Sequence, residues 1–434
     1  MDVILKTTEI GRIPPGTDEE NDGTQDLLSW MGEQFLRFGD IYRAVIYGAN
    51  VYVTRDPQHA EHVLRENWQY YTKGLFSKRV AILLGNGLMS SEGTLWKKQR
   101  RMIQPAFHRN VVAGLAKVIA SSNRSLLTKW KEAALQHIRL NVTHDVSSMV
   151  LEVTLRSIFG NDYLQVAEHF KVLSEESTRD LKFAQAFRSL EKIVFLLAAE
   201  RRKKMREPND LLSKLMAARD LSGQAMRDRQ LVNEIKTLIV AGHETTASTL
   251  NWVWYLLSRN PGAEHRLWKE VDKRTPGDHT NLDGLDEYPF ASEVIEETMR
   301  MFPPGWLVTR KALRDDQLGE FFVPAGTEIY IPLYFIQRNP KLWEDPDRFD
   351  PDRFTPERSK NRHPFAMLPF SAGPRRCIGE SLARVEMLIH VATIAKNLRL
   401  KFVGSAPELD PAVNLRSKQD FLMEPELRSE TAAD

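Results

Sequence analysis

The chain has 434 residues, 42% of them hydrophobic, which is enough for two or three domains or for one large fold. Its 60 basic and 58 acidic residues nearly cancel, so its charge gives no reason to expect nucleic acid or an anionic surface as the main partner. The single cysteine excludes an internal disulfide and suits a reducing, cytoplasmic location. No stretch approaches the ~20 apolar residues that span a bilayer, so we expect no membrane span.

The first ninety residues predict an arm, a helix and a hairpin. Residues 1–23 are polar and rich in proline and acid, which indicates an extended arm before a short helix over about 25–38. Two apolar runs flanking Gly48-Ala49-Asn50 predict a β-hairpin. Asp56-Pro57 predicts the capped start of a helix that ends near Glu66, and the stretch after it predicts a long loop with short helices up to residue 91.

The middle of the chain, residues 91–275, predicts almost continuous helix. Helical spacing runs through three segments, and Pro208-Asn209-Asp210 marks a further start. A very long helix is predicted over 228–258 and ends at Asn260-Pro261. Its centre is apolar nearly all round, so we expect it to run buried through the middle of the protein. The three segments are 92–136, 141–159 and 162–205.

The last third changes character. A helix is predicted over 289–301, and it ends at the prolines before Gly305. Three strand-like pieces follow, then an irregular meander over 338–364 that is crowded with proline and charge. A Gly-rich loop, a helix and a closing strand pair complete the chain. The strand-like pieces are 306–309, 320–323 and 327–332, and the closing pair lies near 398–403 and 421–424.

Cys377 lies in the Gly-rich loop, in the sequence PFSAGPRRCIGE. A lone cysteine can be an inert buried residue, a nucleophile or a metal ligand. Because a helical pattern starts directly behind the loop, Cys377 is expected at a helix N-terminus, where backbone amides and the helix dipole favour a thiolate. A thiolate is a strong axial donor to haem iron.

This loop resembles the haem-binding signature F-x-x-G-x-R-x-C-x-G of the cytochromes P-450. Further landmarks of that family occur in the right order between Trp96 and Gly379. The resemblance implies a b-type haem whose iron is bound by Cys377, with Phe370 over the sulfur. It also implies a mainly α fold with a small β part, in which haem lies between the long central helix and the helix after the cysteine loop of a triangular helical body.

The whole chain, 1–434, is then expected to be a single cytochrome P-450 domain. Its β-rich part is expected from about 24–66 and 305–335, and its helical body from about 92–304 and 365–400. The expected state is a cytoplasmic monomer.

Glu297 and Arg300 are three residues apart on a predicted helix, so they lie on one face and can pair. By itself such a spacing is typical of an ordinary surface pair. The motif is similar to the family's E-x-x-R, and FDPDRF resembles the family's meander motif with Arg353 as a third member. The resemblance implies a buried charge network that supports the haem pocket from below.

Residues 241–246, AGHETT, place glycine and two threonines in the middle of the long helix, where they are poor helix formers. Such a stretch suits either a packing kink or the close approach of a flat cofactor. It resembles the family's oxygen-activation motif. The resemblance implies that Gly242 contacts haem, that Thr245 hydrogen-bonds the bound oxygen, and that Glu244 helps relay protons as a general acid–base. His243 is expected to be satisfied or exposed and not an iron ligand.

Trp96 and Arg100 are four residues apart and project the same way from a helix. The family analogue places both at a haem propionate, and Arg310 and Arg375 match further propionate partners. Three arginines suit two carboxylates because the guanidinium fork pairs with them in a bidentate manner.

The resemblance also implies an apolar substrate pocket, lined by Ile239, Ala241, Trp306, Leu307, Val308 and Phe421. A lipid, terpenoid or polyketide-like molecule would fit it. Electrons are expected from NAD(P)H through a separate redox protein of the ferredoxin or flavodoxin type. That donor is expected to dock on a basic cluster of Lys97, Lys98, Arg101, Arg109 and Arg376.

The predicted function is therefore a haem-thiolate monooxygenase that inserts one atom of O2 into an apolar compound by hydroxylation or epoxidation. The alternative within the fold is a peroxide-dependent or isomerase-type enzyme that needs no reductase. Glu244-Thr245 argues against it, because such an enzyme needs no proton relay from O2. A haem gas sensor and a helical interaction protein are further alternatives, and no signalling domain supports the former.

Overall fold

The structure is a computed structural model, and it describes residues 12–75, 81–82, 84–170, 179–204, 209–273 and 287–428, with the backbone alone for 179–188 and 204. The helices are α1 (Leu27–Phe38), α2 (Pro57–Glu61), α3 (Gly93–Ile103), α4 (Arg109–Leu135), α5 (Val142–Phe159), α6 (Tyr163–Ala167), α7 (Arg179–Lys204), α8 (Leu211–Ala217), α9 (Asp228–Arg259), α10 (Pro261–Asp272), α11 (Pro289–Met301), α12 (Leu333–Ile336), α13 (Pro356–Ser359) and α14 (Glu380–Asn397). Among these described residues, no helix combines the length and the apolar character needed to cross a membrane.

Short strands accompany the helices. They are β1 (Gly16–Asn21), β2 (Ile41–Ile46), β3 (Ala49–Thr54), β4 (Tyr71–Lys73), β5 (Leu140–Asn141), β6 (Leu307–Ala312), β7 (Asp316–Leu318), β8 (Phe321–Val323), β9 (Glu328–Pro332), β10 (Leu398–Phe402), β11 (Leu409–Asp410), β12 (Arg416–Ser417) and β13 (Leu422–Leu427). The mainly helical character with a small β part agrees with the predicted fold class.

The described residues form two compact units. The smaller unit is drawn from 1–78, 305–346 and 362–377, and the larger one from 79–304, 347–361 and 378–434.

The smaller unit is built on one six-stranded sheet of order β1-β2-β3-β9-β6-β4. β1 pairs with β2, and β3 with β9, in parallel, while the other neighbours are antiparallel. All five residues of β9 are buried. Ile329 and Ile331 pack in a core that includes Val63 and Leu64, which follow α2 in the chain. This core supports the segment that carries Cys377.

Two local features of the smaller unit differ from the sequence prediction. Residues 16–21 form strand β1, although their sequence GTDEEN shows no apolar alternation. They are extended because the edge of β2 supplies hydrogen-bond partners for their backbone. The hairpin turns at Tyr47 and Gly48, with φ of 50° and 73°, and not at Gly48-Ala49-Asn50. Positive φ at both positions matches the strand twist and permits the two-residue turn.

The larger unit is organised around α9, which packs mainly on α5. Its core includes Leu155, Phe159, Leu190 and Ile235. The long helix predicted over 228–258 is present within one residue of its predicted end. β10, β13 and β5 form a separate antiparallel sheet, in agreement with the predicted closing strand pair.

Two predicted helical segments are interrupted. Segment 92–136 divides into α3 and α4, because Pro105 has no N–H and its ring clashes with the preceding turn. Segment 162–205 contains α6 and α7, and residues 171–178 between them lie outside the described residues. Pro208 also lies outside them, but Asp210 caps α8 as predicted, since its side chain accepts a hydrogen bond from Ser213 N at 2.9 Å.

Candidate active site

The loop before α14, in the smaller unit, holds Cys377 in a fixed backbone turn. Cys377 N donates a hydrogen bond to Phe370 O at 2.9 Å, and Arg376 N donates to Gly373 O at 3.0 Å. Phe370 and Arg375 are half-buried, whereas Cys377 is exposed. Because cysteine is among the most often buried residue types, an exposed sulfur on a fixed loop suits a ligand better than a packing role.

Gly373 makes this turn possible. Its φ is +69°, and a Cβ added to it would lie 1.9 Å from the carbonyl oxygen of Leu64, behind α2. No side chain fits there, so the loop can lie directly on the Leu64 backbone. The helix itself begins at Glu380 with Gly379 as its N-cap residue, so Cys377 precedes the first turn of α14.

The oxygen-activation stretch lies on α9, in the larger unit. Thr245 Oγ1 donates a hydrogen bond to Ala241 O at 2.8 Å, as its position four residues later allows. The helix is nevertheless continuous from Asp228 to Arg259. Ala241, Glu244 and Thr245 are only half-buried, although the rest of this helix is largely buried. The middle of the helix therefore carries small and acidic side chains that are only partly buried.

Two further residues of that stretch face α5. Gly242 faces Thr154, because a Cβ added to Gly242 would lie 3.4 Å from Thr154 Oγ1. His243 is buried, and its Nε2 lies 2.9 Å from Ser147 Oγ and 3.0 Å from Ser147 O. The imidazole is therefore bonded within the larger unit, while a haem contact by Gly242 stays a prediction.

The predicted propionate partners lie on three parts of the chain, one of which is the cysteine loop with Arg375. Trp96 and Arg100 lie one turn apart on α3, with Trp96 buried and Arg100 half-buried. In the smaller unit, Arg310 lies on β6 and donates from Nη1 to Thr309 O at 2.8 Å. Their binding of a propionate stays a prediction.

The three charged residues Glu297, Arg300 and Arg353 meet inside the larger unit. Arg300 Nε lies 2.6 Å from Glu297 Oε2, and Arg353 Nε lies 3.3 Å from Glu297 Oε1. The backbone N–H of Asp350 also donates to Glu297 Oε1, at 2.9 Å. All three side chains are buried, so this is not the ordinary surface pair that the spacing alone would indicate.

The residues predicted to line the substrate pocket are a mixed set. Ile239 and Phe421 are fully buried in the larger unit, and Ala241 is half-buried. Phe421 packs edge-on against Trp252, with 5.1 Å between ring centroids. In the smaller unit Trp306 is buried, and Leu307 and Val308 are half-buried on β6. Their contact with a substrate stays a prediction.

A polar cavity of about 330 Å³ in the larger unit was not predicted from the sequence. It is lined by α9, by the start of α5 and by the segment around β11 and β12, and it reaches Glu244. Asn414 Nδ2 donates a hydrogen bond to Glu244 Oε2 at 3.0 Å. No sequence signal could indicate this contact, because the two residues are 170 positions apart.

The predicted donor-binding cations are exposed, and Lys98 among them pairs with an acid of the larger unit. In the larger unit, Lys97, Lys98, Arg101 and Arg109 are exposed. Lys98 Nζ lies 2.5 Å from Asp220 Oδ2, and this bond holds the pKa of Asp220 well below its usual range. Arg376 is exposed in the smaller unit.

Comparisons with known proteins identify the family of the chain. The family model described as cytochrome P-450 matches residues 21–174 and 164–427. The chain is 31% identical over 385 residues to cyclooctat-9-en-7-ol 5-monooxygenase of Streptomyces melanosporofaciens, covering 84% of this chain and 83% of that protein. It is 29% identical over 420 residues to the chloroplastic carotene epsilon-monooxygenase of Arabidopsis thaliana, covering 87% and 77%.

A solved structure shares the fold. The retinoic acid-bound cyanobacterial CYP120A1 superimposes with a TM-score of 0.85 at 23% identity, covering 96% of this chain and 100% of that one. The family match, together with the shared fold, defines the chain as an oxidoreductase. The chain belongs to the cytochrome P-450 family, and it is a monooxygenase of that family.

Proposed function

We propose that this enzyme inserts one atom of O2 into a largely hydrocarbon small molecule, with electrons from a separate redox protein. The observation that carries the proposal is the half-buried Glu244-Thr245 pair on α9, whose hydroxyl and carboxyl are each bonded in place, to Ala241 O and to Asn414. Fixed acid–base groups of this kind serve a reaction that consumes protons, as O2 cleavage does.

The residues present fit a b-type haem. Cys377 offers an exposed sulfur on a rigid loop, and Arg100, Arg310 and Arg375 are cations suited to two propionates. We propose that Cys377 Sγ, as a thiolate, ligates the iron. Phe370 of the same loop would lie over the sulfur, and Trp96 would lie at a propionate together with Arg100. When bound, haem supplies the redox chemistry that splits O2, and the thiolate ligand favours O–O cleavage.

The protein's own part in the reaction is to hold and move protons. Thr245 Oγ1 gives its hydrogen to Ala241 O, so its lone pairs are oriented to accept a hydrogen bond. Glu244 lies next to it in sequence, and we propose that its carboxyl supplies the protons. The buried Glu297–Arg300–Arg353 network has no access to solvent and serves to hold the fold.

The substrate class is drawn from the relatives. The names of the two relatives give cyclooctat-9-en-7-ol and carotene as the compounds on which they act, and both are largely hydrocarbon. We propose a terpenoid or similar lipid here, with half-buried Ala241 of α9 among the residues that bind it. The test is a screen of a diterpene alcohol, β-carotene and dodecanoic acid for a substrate-induced shift of the Soret band.

A saturable shift with the terpenoids and none with dodecanoic acid supports this substrate class, and the reverse result contradicts it. The peroxide-dependent alternative is tested on the same samples. Product formed with NADPH, a ferredoxin reductase and a ferredoxin supports the monooxygenase, whereas product formed only with hydrogen peroxide supports the alternative.

We also propose that the electron donor binds the exposed cations of α3. Lys97 and Arg101 carry charge into solvent, which suits an acidic ferredoxin or flavodoxin-type partner. Lys98 is already bonded to Asp220, so its contribution to docking is expected to be smaller. The cytoplasmic location stays a prediction that rests on the lone cysteine.

A further inference from the structure

The polar cavity of the larger unit runs from solvent to one functional side chain. His144, Lys418 and Gln419 line it and are exposed, so they mark its rim. Glu244 lines it too and is half-buried, with buried His243 beside it. A cavity of about 330 Å³ that is lined mostly by polar and charged residues has the volume and the hydrogen-bonding groups that ordered water requires.

Asn414 is held rigidly at the inner wall of this cavity. The next residue, Leu415, is fully buried, and its carbonyl accepts a hydrogen bond from Ser248 Oγ of α9 at 2.8 Å. Leu415 N donates to Pro304 O at 2.9 Å. Arg416 Nε bonds Asp410 Oδ2 at 2.8 Å, across the paired strands β11 and β12. The backbone that follows Asn414 is therefore fixed.

The opposite wall is fixed in a similar way. His243 is bonded to Ser147 of α5, so the segment of α9 that carries Glu244 cannot rotate without breaking that contact. The amide of Asn414 donates to one carboxylate oxygen of Glu244, at 3.0 Å. A hydrogen bond from a neutral donor to a carboxylate is stronger than one between neutral groups, and it favours a single side-chain orientation.

We propose that Asn414 is a positioning residue for Glu244, and that the polar cavity is the route by which solvent protons reach this carboxyl. The inference rests on the proposed function, in which Glu244 supplies protons. Each oxygenation of a substrate consumes one O2, two electrons from the redox donor and two protons, and it forms the oxygenated product and one water. Each proton that leaves the carboxyl of Glu244 is replaced from solvent through water in the cavity, which re-forms the protonated carboxyl.

The test compares three variants of the full chain with haem bound. N414D keeps the shape of the side chain but replaces the N–H donor by an oxygen that repels Glu244. E244Q removes the acid itself. V413A is the matched control, because Val413 precedes Asn414 in the same segment, is 74% exposed and is not among the described residues that line the cavity.

The first measurement is infrared difference spectroscopy of the carboxyl groups, which requires no turnover. The band of Glu244 is the one that E244Q abolishes. We expect it to shift in N414D and to stay in place in V413A. An unshifted band in N414D overturns the contact as a positioning interaction.

The second measurement is the rate of O2 uptake in light and in heavy water, driven by NADPH, a ferredoxin reductase and a ferredoxin, with a diterpene alcohol as the probe. We expect N414D to slow O2 uptake roughly tenfold, which corresponds to about 1.4 kcal/mol of barrier, and to enlarge the ratio of the two rates. A merely structural role would not enlarge that ratio. V413A is expected to behave as the unmodified chain.

Two outcomes separate this inference from the proposed function. If E244Q slows O2 uptake but N414D does not, the proposed function stands and the role of Asn414 is overturned. If E244Q leaves both the rate and the heavy-water ratio unchanged, the proposed role of Glu244 itself is overturned, and the inference with it.

Discussion

Glu297 and Arg300 form a bidentate ion pair whose two side chains have no exposed surface. Arg300 Nε lies 2.6 Å from Glu297 Oε2, and Arg300 Nη2 lies 2.8 Å from Glu297 Oε1. Arg353 Nε forms an ion pair with the same carboxylate, and the backbone N–H of Asp350 donates a hydrogen bond to it. Arg353 and Asp350 both follow α11 in the chain. One buried acid thus joins a helix to the irregular segment that precedes α13.

The first prediction concerns E297Q. This change leaves two buried guanidinium groups facing a neutral amide, and removing one partner of a buried charge pair costs about 3–5 kcal/mol. Urea unfolding of the haem-bound protein should show this loss. The control is D18N, which breaks the exposed Arg43–Asp18 pair and should cost less than about 1 kcal/mol. Equal losses for the two variants would contradict a supporting role for Glu297.

The second prediction concerns G373A. An added Cβ would collide with Leu64 O, and alanine at φ +69° costs a further ~1–2 kcal/mol, so the loop must move. We expect much lower haem uptake and a weak thiolate spectrum. G262A is the control, because nothing lies within 4 Å of that position on α10 and alanine favours a helix. Normal haem uptake by G373A would show that the loop is not confined by Leu64.

The third prediction concerns the pH dependence of stability. Glu386 on α14 is 3% exposed, its Oε1 accepts no hydrogen bond from the described residues, and burial raises its pKa to about 8. At a pH below its ordinary pKa of 4.5, the carboxyl is protonated in both the folded and the unfolded chain. As pH rises from 4.5 to 8, the unfolded chain releases this proton while the folded chain keeps it, so the free energy of unfolding falls.

The measurement is urea unfolding of E386Q and of the unmodified chain between pH 4.5 and 8. The stability advantage of E386Q should grow over that range, by a few kcal/mol at most. E33Q, at an exposed site on α1, should show no such trend. A constant difference between E386Q and the unmodified chain would contradict a raised pKa for Glu386.

The fourth prediction concerns the electron donor. R101E and K98E replace exposed cations on α3 by acids, and both should raise the Michaelis constant for an acidic ferredoxin, most strongly at low salt. R101E should have the larger effect because Lys98 is bonded to Asp220. K401E makes the same charge change on β10 and serves as the control. Donor kinetics at low salt that are identical in all three variants would exclude this surface.

Much of the fold could be predicted because helices carry a periodic signal. The bounds of α9 and α11 follow from apolar spacing and from the residues that end each helix. Strand β1 could not be predicted, since its polar sequence is extended only because β2 offers an edge. The break between α3 and α4 is caused by Pro105 alone. It was not predicted because the residues on both sides of Pro105 show helical spacing.

The candidate site divides in the same way. The spacing of Glu297 and Arg300 predicts that they can pair, and the motif around Cys377 predicts a rigid loop. The contact of Asn414 with Glu244 depends on how a distant segment folds back on α9, and no local pattern contains that information. Residues that act through tertiary contacts of this kind are therefore the ones that only the structure reveals.

The identity of the iron ligand is tested most directly by the difference spectrum of the reduced, carbon monoxide-bound protein. The unmodified chain with haem should show the red-shifted Soret band of a thiolate ligand, and C377S should lose that band while its circular dichroism still shows a folded helical protein. A C377S variant that keeps the band, or an unmodified chain that binds haem without showing it, would contradict the assignment of Cys377 as the ligand.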